Sequence, residues 1–280
     1  MLTPEPRTIV ITGASDGIGA AAAVRLSKAG HRVVVVGRSP EKTRAAAAAC
    51  GAVASFTADF ADLAQVRRLG AELRGACPRI DVLANNAGGV FPRGRHSVDG
   101  LPLTMQINHL APFLLTHELL DVLLDSGAAV VNTSSLAARA GHVLPGDLDG
   151  VSRRRPGFAY SDAKLSNIIF TRGLHRRYSP RGLRSVAIHP GVVATSFGST
   201  SGGLVAAWYG SGIGRSSMIT AEEGGANLAH FAAGTPGVDW DSGEFYDDHW
   251  KKLALPRQAA DDTVVDALWE LSARLVGVGA

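Results

Sequence analysis

The sequence predicts a single-domain α/β fold, with a doubly wound parallel sheet flanked by helices on both faces. Three observations predict it. Short Val/Ile-rich runs alternate with Ala/Leu/Arg-rich amphipathic stretches. The apolar runs are continuous rather than strictly alternating, as strands covered on both faces require. A glycine-rich turn joins the first such run to the first helical stretch. Repeated βα units of this kind give parallel strands and right-handed crossovers, the Rossmann-type arrangement.

Each element follows in order. RTIVIT (7–12) reads as a strand and GIGAAAAVRLSKAG (17–30) as a helix ending at Gly30. HRVVVVG (31–37) is a second strand. SPEKTRAAAAAC (39–50) is a second helix, with Ser39 placed to cap it and Pro40 in its first turn. AVASFTA (52–58) and IDVLANNAG (80–88) are strands on either side of the helix DLAQVRRLGAELRG (62–75). A long helical stretch near Leu103 to Leu124 follows, then the strand AAVVNTSS (128–135), a helix carrying Tyr160 and the strand LRSVAIHPG (183–191). Residues 141–157 read as a long polar loop. Residues 197–218 are rich in Gly and Ser yet carry Phe197, Leu204, Trp208 and Tyr209. A flexible linker has no use for those apolar groups, whereas a mobile lid over an apolar ligand does. There is no internal repeat of solenoid type and no domain linker.

Composition excludes several classes. The chain has 280 residues, 46% hydrophobic and 19% charged, enough for one large core. Net charge is only +3, with a pI near 9.1, so nucleic acid is not an expected partner. The densest basic run, Arg153 to Arg155, reads as a solvated loop beside Pro156. Cys50 and Cys77 form no CxxC pair, and no Cys/His cluster has metal-ligand spacing, so unpaired thiols and no metal are expected. No apolar run reaches the roughly 18 residues of a membrane span, and the N-terminus lacks a signal-peptide pattern. Both point to a cytoplasmic protein.

The first chemical signal is TGASDGIG (12–19). Glycines 13, 17 and 19 allow a tight turn and close backbone approach, and a helix N-terminus offers free N–H groups to a phosphate. A second is Tyr160 and Lys164, four residues apart and therefore on one face of a helix. A third is the end of the second strand. Gly37-Arg38, with Lys42 about one turn on, stands where a carboxylate would select NAD, and a guanidinium suits a 2′-phosphate. The sequence therefore points to NADP(H) over NAD(H).

The spacing GxxxGxG, with NNAG (85–88), Asn108 in INHLAPFLL, Ser135 in VNTSS, Tyr160-x-x-x-Lys164 and HPGVVATSF (189–197), resembles the short-chain dehydrogenase/reductase family. With SGEFYDD (242–248) and ALWELSARLVG (267–277), the chain is most similar to the retinol-dehydrogenase-like branch. The resemblance covers nearly the whole chain and implies roles for particular residues. Gly13, Ser15, Gly17, Ile18 and Gly19 would cradle the phosphates. Asp59, beside Phe60, matches the family's adenine-contacting Asp; it also suits an N-cap for the following helix. Asn85, Ala87 and Gly88 would bring backbone to the adenine ribose. Pro190, Gly191, Val193 and Thr195 would clasp the nicotinamide end.

The same resemblance makes Tyr160 the acid/base, assisted by Lys164, with Ser135 holding the substrate oxygen and Asn108 extending a proton path. A phenol suits proton transfer at a carbinol oxygen when an ammonium draws its pKa down. Ser134 is the neighbour that competes with Ser135 for this role. Taken singly, each residue also has an ordinary role in packing or capping. Ser135, Tyr160, Trp208 and Tyr209 are the expected substrate contacts. His109 and His189 read as packing or capping groups, while His249 and Trp250 follow an expected edge strand with no partner evident. The function implied is interconversion of an alcohol with a ketone or aldehyde of apolar character, by a homodimer or homotetramer. A tailoring enzyme performing ketoreduction or a redox-neutral step, and a non-catalytic NADP sensor, are the competing readings.

Overall fold

The computed structural model describes residues 5–144, 146, 154–192 and 219–279. Eight strands form one sheet in the order β3-β2-β1-β4-β5-β6-β7-β8. They are β1 (Thr8–Thr12), β2 (Arg32–Gly37), β3 (Ala54–Thr57), β4 (Val82–Asn85), β5 (Ala129–Thr133), β6 (Arg184–Ile188), β7 (Phe245–Tyr246) and β8 (Lys252–Leu253). All neighbours pair in parallel except β7 and β8, whose Phe245↔Leu253 register is antiparallel. The edge strand expected before His249 is thus an inner strand, and the turn 247–251 folds β8 back as the edge among the described residues. The strand order reverses between β1 and β4, where an open α/β sheet opens a crevice beyond its strand ends.

The valine run of β2 shows why unbroken apolar stretches build this sheet. Val34 and Val36 enter one core with Val10, while Val33 and Val35 enter the opposite core with Ile9 and Ile11. Period-two geometry sends neighbours to opposite faces, so a strand buried on both sides has to be apolar throughout. The first core is closed by α3 (Leu63–Ala76), α5 (Ala111–Glu118), α7 (Pro156–Tyr178) and α9 (Asp262–Val276). The second is closed by α1 (Gly17–Lys28) and α8 (Ala221–Ala233). Ser39 caps α2 (Pro40–Cys50), accepting from the Lys42 N–H, with Pro40 in the first turn. The cap of α3 falls to Asp62, which accepts from Ala64 and Gln65, and not to Asp59.

The long stretch near 103–124 is helical but not uniform. It runs through α4 (Leu103–Met105), a π-helical turn (Gln106–Leu110), α5 and α6 (Leu120–Asp125). Pro112 accounts for the π turn. It has no N–H to give the carbonyl of Asn108, four residues back, and its ring crowds that carbonyl. The ladder slips instead, and the Ala111 N–H reaches back five residues to Gln106. Helix α7 begins at Pro156, inside the segment expected as loop. Arg154, expected to be solvated, pairs with the buried Asp162 at 3.3 Å. Cys50 and Cys77 are both buried and unbridged. Among the described residues no helix is long and apolar enough to cross a membrane.

Candidate active site

The turn after β1 is built from backbone. Gly13 lies at φ +65° and Gly17 at φ +54°, in the left-handed region where a side chain is strained. A Cβ on Gly13 would stand 2.8 Å from the Ala87 Cα, and one on Gly19 would stand 2.7 Å from the Asn86 Nδ2. No larger residue fits without moving backbone. Asn86 ties the turn to β4, donating to the Thr12 carbonyl at 2.9 Å, while Thr12 Oγ1 accepts from the Asn86 and Ala87 N–H groups. Asp16 caps α1 by accepting from the Gly17 N–H at 2.8 Å. The N–H groups of Ile18 and Gly19 have no protein acceptor among the described residues, and they lie at the positive end of α1 beside the half-buried Ser15. This arrangement can hold an anion.

Around this turn the other expected cofactor residues separate into two groups. Arg38 is exposed at the end of β2. Lys42 pairs across the turn with Asp16 at 3.5 Å, both side chains largely exposed. Asp59 accepts from the Ala61 N–H at 3.0 Å. Phe60 and Asn85, in contrast, turn inward. The Phe60 ring is in the core and its carbonyl accepts from Gln106. The Asn85 amide donates to Thr116 on α5 and to Asn132 on β5. Of the two, only Asn85 stands at a strand end, the last residue of β4.

Beyond β5 the site is built from buried side chains. Ser134 is 1% exposed, and its hydroxyl donates to the Lys164 carbonyl at 2.7 Å, fastening α7 to the strand end. Ser135 is half-buried; its Oγ accepts from the Ala137 N–H at 3.2 Å and keeps its own proton to donate. Lys164 is 2% exposed, and its Nζ donates to the Thr133 carbonyl at 3.0 Å. That nitrogen lies 5.4 Å from the centre of the Tyr160 ring, as the four-residue spacing anticipated. Burial alone holds the Lys164 ammonium down to about 7. Gly88 is the third wall. A Cβ there would stand 2.5 Å from Asn108 Oδ1 and 3.2 Å from Lys164 Nζ.

The π turn delivers Asn108 to this wall. Its amide donates to the carbonyls of Gly89 at 2.9 Å and Thr104 at 2.8 Å, and its Oδ1 accepts from the Gly89 N–H at 3.1 Å. Both amide protons are engaged, so only the second lone pair of Oδ1 is left for a water.

Sequence reasoning missed what lies behind Lys164. The Thr133 carbonyl also accepts from Asn167 Nδ2 at 3.1 Å. Asn167 Oδ1 must then accept, which puts the proton of neutral His109 on Nδ1, 3.3 Å away. His109 Nε2 is left to accept from Ser272 Oγ at 2.9 Å. Burial pushes the His109 imidazole down to about 4, so it stays neutral. Packing is half its role; orienting Asn167 is the other half. Ser272 lies 163 residues from His109, and no local signal in the sequence joins them.

At the β6 end, Ser134 N–H donates to the Ile188 carbonyl at 2.7 Å, which sets Pro190 and Gly191 beside the β5 turn. Val193, Thr195, Trp208, Tyr209 and the expected lid at 197–218 lie outside the described residues. Among the described residues no group of three or more His, Cys, Asp or Glu could hold a metal.

A glycine-lined turn at the switch point, beside a buried Lys facing a Tyr, is the arrangement of a dinucleotide-dependent redox enzyme. The family model described as short chain dehydrogenase matches residues 7–202. The chain belongs to that family, the short-chain dehydrogenases/reductases, and is an NAD(P)-dependent oxidoreductase acting on CH–OH and C=O groups. It is 39% identical over 277 residues to a Streptomyces sp. (strain C5) protein named "Putative daunorubicin C-13 ketoreductase DnrU", covering 97% of this chain and 93% of that one. It is 33% identical to Homo sapiens retinol dehydrogenase 13, covering 98% of this chain and 86% of the relative. The crystal structure of an uncharacterized protein from Mycobacterium Paratuberculosis superimposes with a TM-score of 0.77 at 31% identity, covering 97% of this chain and 94% of that one.

Proposed function

We propose that this protein is an NADP(H)-dependent carbonyl reductase, reversible to alcohol oxidation, in which Tyr160 exchanges the proton and the substrate is apolar. The observation that carries the reading is Lys164. A lysine 2% exposed, with burial pulling it to about 7, weakens the fold at neutral pH. Such a cost is what a functional site incurs when it tunes a proton-transfer group. When bound, the nicotinamide supplies or accepts the hydride, and the chain manages the proton and the charge on oxygen. Ser135 donates to the substrate oxygen and stabilises charge developing there. Tyr160 gives its phenolic proton to that oxygen in reduction and takes it back in oxidation. The Lys164 ammonium favours the phenolate, and the Thr133 carbonyl fixes where that ammonium sits. Asn108 holds the Gly88–Gly89 backbone against this group.

Ser134 is consumed in clamping Lys164, which supports Ser135 as the working hydroxyl. Arg38, exposed with no carboxylate at that strand end, supports NADP(H). The apolar substrate is supported by Leu136 and Phe158, 42% and 50% exposed, which flank Ser135 and Tyr160 in the chain. Likeness to a protein named for ketoreduction supports a ketone as the reacting group. We place the whole activity in one domain, with 197–218 as its lid. The test is NADPH oxidation with a panel of apolar ketones and aldehydes. Wild-type protein should turn over at least one, and Tyr160→Phe should lose about 10²- to 10⁴-fold in kcat. A Tyr160→Phe enzyme of undiminished kcat sinks the mechanism.

A further inference from the structure

Trp250 has the one positive φ of any described residue other than glycine, 60°. A bulky side chain in the left-handed region is strained and persists only where the surroundings over-determine it. Here they do. In the turn between β7 and β8, the Trp250 N–H donates to the Asp247 carbonyl at 3.1 Å. The Asp247 carboxylate accepts from the His249 and Lys251 N–H groups at 3.0 and 2.9 Å. The indole then lies flat on the His230 ring, centroids 3.9 Å apart at 7°. Its Nε1–H donates to Asn227 Oδ1 at 3.1 Å. A ring so held is nonetheless 49% exposed, more than burial in the core would explain.

What the indole holds is informative. With Oδ1 accepting from Trp250, Asn227 presents Nδ2 to the Pro190 carbonyl at 3.2 Å. Asn227 is 9% exposed and sits on α8, so the link runs from the last hairpin through a helix to the residue just past β6. That residue lies beside the β5 turn bearing Ser135. Gly191, at φ +98°, is gripped further: a Cβ there would overlap the Ile219 side chain and stand 3.2 Å from Asp248 Oδ2. Val192 accepts from the Ile219 N–H at 2.8 Å. The C-terminal ends of β5 and β6 are where an open α/β sheet receives its ligand.

We infer that Trp250 is a positioning residue: through Asn227 it fixes the Pro190–Val192 backbone at the height needed to close on the bound dinucleotide. The inference rests on the dinucleotide reading given above. It assigns the strain at Trp250 to ligand binding, not to stability of the hairpin. Trp250→Phe keeps a smaller ring to stack on His230 and removes the donor to Asn227. Calorimetric titration with NADPH should show binding roughly fivefold weaker, the worth of one net hydrogen bond. The pH profile of kcat should stay that of the wild type, and the thermal midpoint of the unliganded protein should fall by no more than about 2–4 °C, the same one bond. Asn227→Ala should weaken binding similarly, and the double variant should be no weaker than the worse single one, because the two act in series.

Unchanged NADPH affinity in a folded Trp250→Phe protein overturns the inference, as does a lowered thermal midpoint without a change in affinity. Additive losses in the double variant overturn the link through Asn227. If Asn227→Ala does not fold, Trp250→Phe decides alone. A wild-type protein that binds neither NADPH nor NADH overturns the dinucleotide reading as well, which separates the two failures.

Discussion

On the β1–β2 side, the groups that face the crevice are backbone. Ile18 and Gly19 offer N–H groups, glycines keep side chains out of the way, and the nearby charges of Asp16, Arg38 and Lys42 are exposed. On the β5–α7 side, the groups proposed for catalysis are side chains. Lys164, Asn108, Asn167 and His109 are each 3% exposed or less. The two sides suit different tasks. A phosphate carries its charge permanently, so hydrated dipoles at a helix end can hold it at little cost to the fold. A proton-transfer centre changes charge during turnover, and its neighbours act strongly only where water is excluded. Under the proposed function, the stability cost is therefore concentrated beyond β5.

Lys164→Met tests that concentration most severely. Turnover should fall by about 10²- to 10⁴-fold. Stability should move the other way. Burial lowers the folded pKa to about 7 against 10.5 in the unfolded chain. Between those values the unfolded chain binds the extra proton, so wild-type stability rises with pH across the window and is lowest below it. The variant should be more stable than wild type at pH 7, and should lack that rise. Chemical unfolding from pH 6 to 10.5 reads both, and parallel curves for the two proteins would remove the argument that Lys164 is held at a cost.

The cradle should respond in binding instead. Gly19→Ala drives a Cβ against the Gly13 carbonyl and the Asn86 amide, so backbone must shift. Dinucleotide affinity should fall about tenfold or more, with about 1–3 kcal/mol of stability lost to overpacking and kcat at saturation little changed. A variant binding as tightly as wild type means the turn does not approach the ligand. Arg38→Asp acts more gently, since it touches only preference. The ratio of kcat/KM with NADPH to that with NADH should drop about ten- to a hundredfold, the range of a charged hydrogen bond. An unaltered ratio ends the assignment of Arg38 to a 2′-phosphate.

Much of this was legible in the sequence, and unevenly so. The cradle declares itself because conformation and close approach at Gly13 and Gly17 demand glycine within a short span. Val33 to Val36 declare a strand covered on both faces because burial leaves no polar choice. Tyr160 and Lys164 are legible because helical spacing places them. The π turn was not, although Pro112 is its cause: a proline in the first turn of a helix and one that displaces a ladder read alike until the carbonyl it faces is known. The cap of α3 shifted from Asp59 to Asp62 for a comparable reason, since both residues suit the position and only the chain's exit from β3 chooses. Trp250, too, gave no sign of its partner, because the link from it through Asn227 to Pro190 joins three separate segments.

His109 gives the narrowest test of the comparison, since it sits behind the buried side and touches neither Tyr160 nor Lys164 in the contacts described. Its imidazole is held at about 4 by burial, against 6.5 when unfolded. As pH falls from about 6.5 to about 4, the unfolded chain takes up a proton that the folded one refuses, so stability declines by up to about 1.4 kcal/mol per pH unit from this group. His109→Gln can donate to Asn167 and accept from Ser272 without titrating. Its urea midpoints should therefore decline less steeply than those of wild type over that window, although the half-buried His117 and the buried His189 keep some slope in both proteins. If Asn167 matters only as packing, kcat of the variant should equal that of wild type at every pH. If it holds the Thr133 carbonyl for Lys164, small errors in the glutamine's reach should lower kcat a few-fold, on the order of one misplaced hydrogen bond, with KM for NADPH unmoved. A glutamine variant that retains the wild-type acid slope would show that His109 is not the neutral, buried group on which this wall of the site is built.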